Sequence, residues 1–350
     1  MAMNAATLRV ERLIRFSLTT ADAESASRFY EAAFGCRRTA VDRLAGEAFE
    51  RLMGVSGGAD RITLRLGRET LELLQFDVSG SPYPRQASST DLFFQHFAIV
   101  TLDMEGAFER LSSVAGWKPI SVGGPQHLPA SSGGVTAFKF RDPEGHPLEL
   151  LAFPKGGDPR WSKPPSGEPC LGIDHSAISV SDTGRSVAFY EGLGLSASAH
   201  SLNHGVVQEM LDDVDGAEVD VTALAPSYGT PHLELLCYRN KRGRDEYVIP
   251  APRNNDIACT RLVFELAPVQ ARNDGERLVR DPDGHAFLLV SRASPRWAAS
   301  GDAERSRGLE PTSPIRQARA VKSARPDIVL RPIVGSAKRT RDAGVFMERP

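Results

Sequence analysis

The stretch RDPEGHPLEL, residues 141–150, nearly recurs as RDPDGHAFLL at residues 280–289. The turn keeps every letter but one, Glu144 against Asp283, while the following strand carries Glu149 in one copy and Leu288 in the other. Each letter of the turn has a structural reason. The Asp side chain can bond back to the backbone, Pro presets φ, and Gly supplies a positive φ. The turn therefore reads as punctuation between two strands, with His146 and His285 expected at the rim. The position that differs, Glu149 or Leu288, is the one to examine for chemistry.

The repetition extends outward from these turns. IRFSLTTADAESASRFYEAAFG (14–35) aligns with DHSAISVSDTGRSVAFYEGLG (174–194) at an offset of 160. This pairs Phe29-Tyr30 with Phe189-Tyr190, Asp22 with Asp182, and Arg15 with His175. TDLFFQHFAIVTLD (90–103) aligns with NDIACTRLVFEL (255–266) at an offset of 165, pairing His96 with Arg261. Four units thus begin near residues 12, 93, 172 and 257.

Each unit starts with an apolar or alternating run such as HFAIVTL (96–102), the pattern of a strand. An Asp follows where a helix N-cap is wanted, then apolar residues at helical spacing: Ala26, Phe29, Tyr30, Ala33 and Phe34, closed by Gly35. Met104, Ala107, Phe108 and Leu111 repeat that pattern after Asp103. Short strand-like runs close the units, among them RITLRLG, TLELLQF, PLELLAF and HLELLCY. The predicted order is strand, helix, then about three strands, an α+β fold. The fourth unit is shortened: His96 to Asp142 spans 46 positions, Arg261 to Asp281 only 20.

That order, with a D-x-x-x-x-x-x-F-Y helix and a DPxGH…E ending, resembles the vicinal oxygen chelate superfamily, which includes glyoxalase I, methylmalonyl-CoA epimerase, extradiol dioxygenases and bleomycin-resistance proteins. The resemblance covers roughly residues 8–291. It implies that two βαβββ units pair into one cupped sheet around a site. Four units then imply a first domain at 8–155 (units 1 and 2) and a degenerate second at 171–292 (units 3 and 4). The Pro/Gly-rich segment 156–170 reads as a linker. Residues 293–350, rich in Arg, Ser, Pro and Ala, read as a basic tail expected to be disordered.

In that superfamily, ligands come from the first and last strands of each unit. Carried over, the first domain offers Arg15, Glu72, His96 and Glu149, and the second His175, Glu234, Arg261 and Leu288. Neither has the full set of two histidines and two glutamates. The more complete first domain gives the expected metal ligands His96, Glu72 and Glu149, with His175 and Glu234 a second-domain remnant. Arg15 and Arg261 cannot ligate, because a guanidinium stays protonated; Arg15 could instead pair with Glu72 or Glu149, and both arginines are assigned to substrate, together with His127 on a Gly-rich loop. Glu149 or Glu72 would be the general base. Whether a divalent metal (Fe, Mn, Ni or Zn) is held, or the cup is metal-free, stays open. His200, His204 and His232 add a polar cluster in the second domain.

The implied activity is glyoxalase- or epimerase-like proton transfer on a small oxygenated metabolite. The alternatives are an extradiol-type dioxygenase and a metal-free binding protein of the resistance kind. Other classes have no support: there is no GxSxG, P-loop or Rossmann glycine pattern, hence no nucleotide cofactor. A net charge of −2 gives no reason to expect nucleic acid, and no apolar run approaches membrane-spanning length. The N-terminal stretch lacks a secretory h-region, and Cys36, Cys170, Cys237 and Cys259 are scattered without CxxC spacing. Both point to free thiols in a cytoplasmic protein. Units can pair within or between chains, so a homodimer stays open.

Overall fold

The computed structural model describes residues 9–155, 159–161, 169–239, 251–267 and 275–291. Most of the expected linker and the tail 293–350 lie outside the described residues. Unit 1 comprises β1 (Val10–Thr19), α1 (Ala23–Phe34), β2 (Arg37–Leu44), α2 (Glu47–Met53), β3 (Ala59–Leu66) and β4 (Glu69–Phe76). Unit 2 comprises β5 (Gln95–Thr101), α3 (Met104–Ser112), β6 (Lys118–Pro119), β7 (Gln126–His127), β8 (Thr136–Arg141) and β9 (Pro147–Ala152). Unit 3 repeats unit 1 as β10 (Cys170–Ser179), α4 (Thr183–Gly192), β11 (Ser196–His204), α5 (Val206–Asp212), β12 (Glu218–Ala225) and β13 (His232–Tyr238). Unit 4 contributes β14 (Thr260–Leu266), β15 (Arg277–Arg280) and β16 (Ala286–Val290).

The helices begin and end where the sequence sets them. Asp22 accepts from the Ser25 amide, Asp103 from Gly106 and Asp182 from Arg185, each satisfying an amide with no partner inside its helix. Gly35 closes α1 at φ 76°. The expected apolar stripe of α1, including Phe29, Tyr30 and Phe34, is buried.

The sheets pair the units differently from the expectation. One sheet runs β15-β16-β14-β1-β4-β3-β2 and joins unit 1 to unit 4; we call it sheet A. The other, sheet B, runs β11-β12-β13-β10-β5-β9-β8-β6, with β7 on β8, and joins unit 2 to unit 3. The domains drawn as 8–155 and 171–292 are therefore not the units that share a sheet. The seams are antiparallel first-strand pairs, β1 with β14 and β5 with β10. β5, β10 and β14 are buried along their whole length. Such strands need partners on both edges and packing on both faces, but their apolar sequences do not specify which first strand to choose.

One face of each sheet packs into a shared core with the helices. Phe16, Leu18, Leu73 and Phe264 come from sheet A, Phe97, Ile99, Leu148 and Leu150 from sheet B, and Phe29, Phe34, Leu111 and Tyr190 from the helices. The repeated turns knit this core. Asp142 Oδ1 accepts from the amides of Glu144, Gly145 and His146, each at 2.9 Å. Its Oδ2 accepts from the Tyr30 hydroxyl of α1 at 3.0 Å, and Asp281 Oδ2 accepts from Tyr190 at the same distance. The one varied letter also keeps its job: Glu144 accepts from Thr20, Ala21 and Asp22 ahead of α1, and Asp283 from Ser181 ahead of α4.

His146 and His285 are not at the rim. Both are buried, and each spans the two sheets: His146 Nε2 bonds the Thr19 carbonyl and His285 Nε2 the Ser179 carbonyl, both at 2.9 Å. A turn at the interface between sheets carries its histidine inward, which the turn motif alone does not reveal. Among the described residues, no disulfide joins Cys36, Cys170, Cys237 and Cys259. Among the described residues, no helix is long and apolar enough to cross a membrane.

Candidate functional site

The face of sheet B turned away from the shared core gathers four side chains from four strands. Along the ladders His96 lies opposite Ala177, Glu149 beside Ala98, and Glu234 beside Ala177, while His175 is two residues before Ala177. Residues opposite in register or two apart on a strand share a face, so all four point the same way. The alanines between them, both fully buried, leave room for the longer side chains to converge.

His96 Nε2 lies 3.5 Å from Glu149 Oε2, and His175 Nε2 lies 3.6 Å from the same oxygen. His175 Nε2 is also 3.5 Å from Glu234 Oε2. The donor atoms of His96, Glu149 and His175 lie within 4.8 Å of one another. A first-row divalent ion with bonds near 2.1 Å holds neighbouring donors about 3.0–3.5 Å apart. The spacing and the nitrogen–oxygen donor set both fit such an ion. Glu234 and His232 are the more exposed members, so the group opens toward β13.

Behind His175 a second layer fixes the ring. Asp174 Oδ2 accepts from His175 Nδ1 at 3.0 Å, leaving Nε2 directed at the two glutamates. Asp174 is in turn held by the Arg160 guanidinium and by the Trp161 indole N–H at 3.3 Å. Carboxylates that orient a ligating imidazole in this way fix its tautomer and raise its basicity.

The charges are strongly coupled. Burial opposes a charged His175, yet Glu234, then Asp174 and Glu149, outweigh it and raise the pKa to about 9. Burial pushes Glu234 up, but His175 and then His232 bring it down to about 2. Burial lowers His96 below the usual imidazole value, against the pull of Glu149. Glu149 is driven up by burial but held below its ordinary range, chiefly by His96 and next by Lys139.

The structure divides the sequence-derived site residues between the two sheets. His96 and Glu149 meet His175 and Glu234, the pair assigned to a remnant. Glu72 does not join them. It lies on sheet A, 3.0 Å from Arg61 Nη1 and 3.5 Å from Arg15 Nε, and is neutralised there. Ladder register makes sheet A a point-by-point counterpart of the site: Arg15 for His175, Arg261 for His96, Glu72 for Glu234 and Leu288 for Glu149. Arg261 is fully buried, donating to the Asn254 carbonyl at 2.7 Å and Thr19 Oγ1 at 3.0 Å, and lies over the Phe76 ring. Neither arginine reaches the sheet B group, and a buried, internally bonded Arg261 is not presented to substrate. His127 is exposed on β7, bonded to Thr136 Oγ1 at 3.2 Å, and stands apart from the group. His200 and His204 are likewise exposed, while His232 adjoins the site with its Nε2 3.4 Å from Glu234 Oε1. Sequence reasoning missed Asp174 and Arg160 behind His175; the Asp-His pair at 174–175 is the one available signal.

A family model described as Glyoxalase/Bleomycin resistance protein/Dioxygenase superfamily matches residues 12–150. Among solved structures, the chain is similar to a glyoxalase I mutant from Zea mays, at 17% identity and a TM-score of 0.50, covering 81% of this chain and 94% of that one. It is also similar to a candidate dioxygenase from Bacillus subtilis, at 11% identity and a TM-score of 0.48, covering 83% and 87%. The likeness to the Zea mays structure shows a shared fold. No curated protein matches the chain.

Proposed function

Because residues 12–150 match the Glyoxalase/Bleomycin resistance protein/Dioxygenase superfamily model, we propose that the chain is a metal-assisted enzyme acting on a small oxygenated metabolite in sheet B. The reaction is glyoxalase- or epimerase-like proton transfer beside a carbonyl. One observation carries this reading: two histidines and two glutamates from units 2 and 3 share one face, with the donor atoms of His96, Glu149 and His175 within 4.8 Å of one another and Glu234 3.5 Å from His175. All four come from a single chain, so the site does not require a homodimer.

His96, Glu149, His175 and Glu234 would hold the ion. When bound, a divalent metal polarises neighbouring oxygens and stabilises an enolate. The protein supplies the rest. Asp174 keeps the His175 ring aimed, and the buried strands exclude bulk water from it. Glu149 is the proposed base: its Oε2 faces both imidazoles, leaving Oε1 to take a proton from the carbon beside the carbonyl. Glu72 is no longer a candidate, because Arg61 and Arg15 hold it on the other sheet.

Metal titration of the purified protein tests the reading. Mn, Ni, Zn or Fe(II) should raise the melting temperature and bind near one ion per chain. Glu149→Gln and His175→Ala should each weaken binding by tenfold or more, while Arg15→Met leaves it unchanged. Unaltered binding in both site variants would sink the assignment.

A second reading is favoured by the His96, Glu149 and His175 trio alone, a two-histidine, one-carboxylate set of the kind non-haem iron oxygenases use. Oxygen uptake with catechols by the Fe(II)-loaded protein would decide for that dioxygenase reading.

A further inference from the structure

The strongest feature outside the mechanism above is a buried ion pair beside the site. Lys139 lies on β8 directly across the ladder from Glu149, so the two side chains share the site face. Its ammonium is 2.6 Å from Asp212 Oδ1, with 5% of the lysine side chain and none of the aspartate exposed. Asp212 ends α5, and its other oxygen accepts from Gln208 Nε2 at 2.7 Å and the Tyr238 hydroxyl at 2.9 Å. The 2.6 Å contact with Asp212 offsets the cost of burying the ammonium. An ammonium carries three N–H donors. Among the described residues only Asp212 takes one, which leaves two buried donors on the site face.

Sheet A shows what the fold requires at these positions. The counterpart of Lys139 across from Leu288 is Leu278, and the counterpart of Asp212 at the end of α2 is Met53. The two helices have seven residues each, follow a glycine, and are held alike: Asn254 Nδ2 donates to the Met53 carbonyl at 2.6 Å, and Ser89 Oγ to the Asp212 carbonyl at 2.9 Å. Met53, Leu278 and Leu288 pack there in one apolar cluster. The backbone therefore accepts either arrangement. A buried ion pair is at best neutral for stability against well-packed apolar residues, so stability does not explain why Lys139 and Asp212 stand where Glu149 stands. The charge pair goes with the ligand set: Glu149 with Lys139 and Asp212, Leu288 with Leu278 and Met53.

We propose that Lys139 is a substrate-binding residue that recognises a negatively charged oxygen, and that the site takes a small organic acid through its carboxylate. Asp212 is the positioning residue that holds the ammonium against the sheet. The inference rests on the metal reading of sheet B.

The test titrates Ni(II)-loaded protein with oxalate and with the neutral probe hydroxyacetone. Lys139→Met should weaken oxalate at least about tenfold, the loss of a charge-assisted contact, while nickel affinity and hydroxyacetone binding stay within about twofold. The double variant Lys139→Leu with Asp212→Met copies Leu278 and Met53. It should melt no lower than the parent and show the same selective loss, which covers the case in which the single variant fails to fold. Oxalate binding retained in the folded double variant, or equal loss of both probes, would overturn the proposal while leaving the metal centre intact. Failure of the parent to bind nickel would overturn both.

Discussion

His146 has an acceptor at each ring nitrogen. Nδ1 lies 2.8 Å from Asp142 Oδ2, and Nε2 lies 2.9 Å from the Thr19 carbonyl. A carboxylate and a carbonyl both accept, so the ring that satisfies both carries two protons. Burial opposes this charge but Asp142 outweighs it, raising the His146 pKa; the same contact, against burial, lowers that of Asp142. A raised imidazole stabilises the fold fully below its unfolded value near 6.5, and that contribution is lost as pH rises through the folded value. A depressed carboxylate stabilises above about 3.8, and its contribution is lost as pH falls through the folded value. Urea unfolding should therefore show His146→Gln most destabilised relative to the parent near pH 6, with the gap narrowing as pH climbs. A gap that does not change with pH would show that the ring is neutral in the fold. At the site, Asp174→Asn should cost about 10–100-fold in metal affinity through His175, without touching the ion itself. Unchanged affinity in that variant would remove Asp174 from a positioning role.

At the scale of elements, α1 and α4 dock through the same bond. Each places a buried tyrosine hydroxyl on the aspartate of the following unit's turn, Tyr30 on Asp142 and Tyr190 on Asp281. Tyr30→Phe and Tyr190→Phe should each cost about 1.5–3 kcal/mol, the range for a hydrogen bond to a charged group. The two sites share no partners, so the double variant should be additive within about 0.5 kcal/mol. Chemical denaturation reads both numbers, and a negligible loss in either would mean the turn stands without its helix. The turn has its own constraint. Gly145 adopts φ 104°, and a Cβ there would come within 2.8 Å of Tyr83 Cβ, so Gly145→Ala combines a strained backbone with a clash. Much of this level was legible in the sequence, because caps, turn residues and helical stripes are local. The inward course of His146 was not, because it depends on what the turn faces.

Across the whole molecule, pairing unit 1 with unit 4 and unit 2 with unit 3 makes each half of the chain incomplete. A fragment of residues 9–155 would leave β1 and β5 without their first-strand partners β14 and β10. Such a fragment should not run as a folded monomer in size-exclusion chromatography, and should regain order when mixed with a fragment of residues 159–291. A compact, cooperatively unfolding 9–155 monomer would contradict the sheet order. The sequence by itself determined the four units, the α+β order, the strand positions of the candidate ligands, and that Arg15, Arg261 and Leu288 cannot ligate a metal. These follow from periodicity of 2 and 3.6, from turn chemistry, and from the inability of arginine and leucine to ligate. It did not determine which units share a sheet, and so it scattered the proposed ligands over two domains. Tertiary structure alone brought His96 and Glu149 to His175 and Glu234, and set Glu72 on the other sheet, where Arg61 joins Arg15 in pairing with it. The physical reason is that β5 and β10 are apolar on both faces and bond through backbone groups every strand carries, so their choice of partner rests on the packing of the whole core.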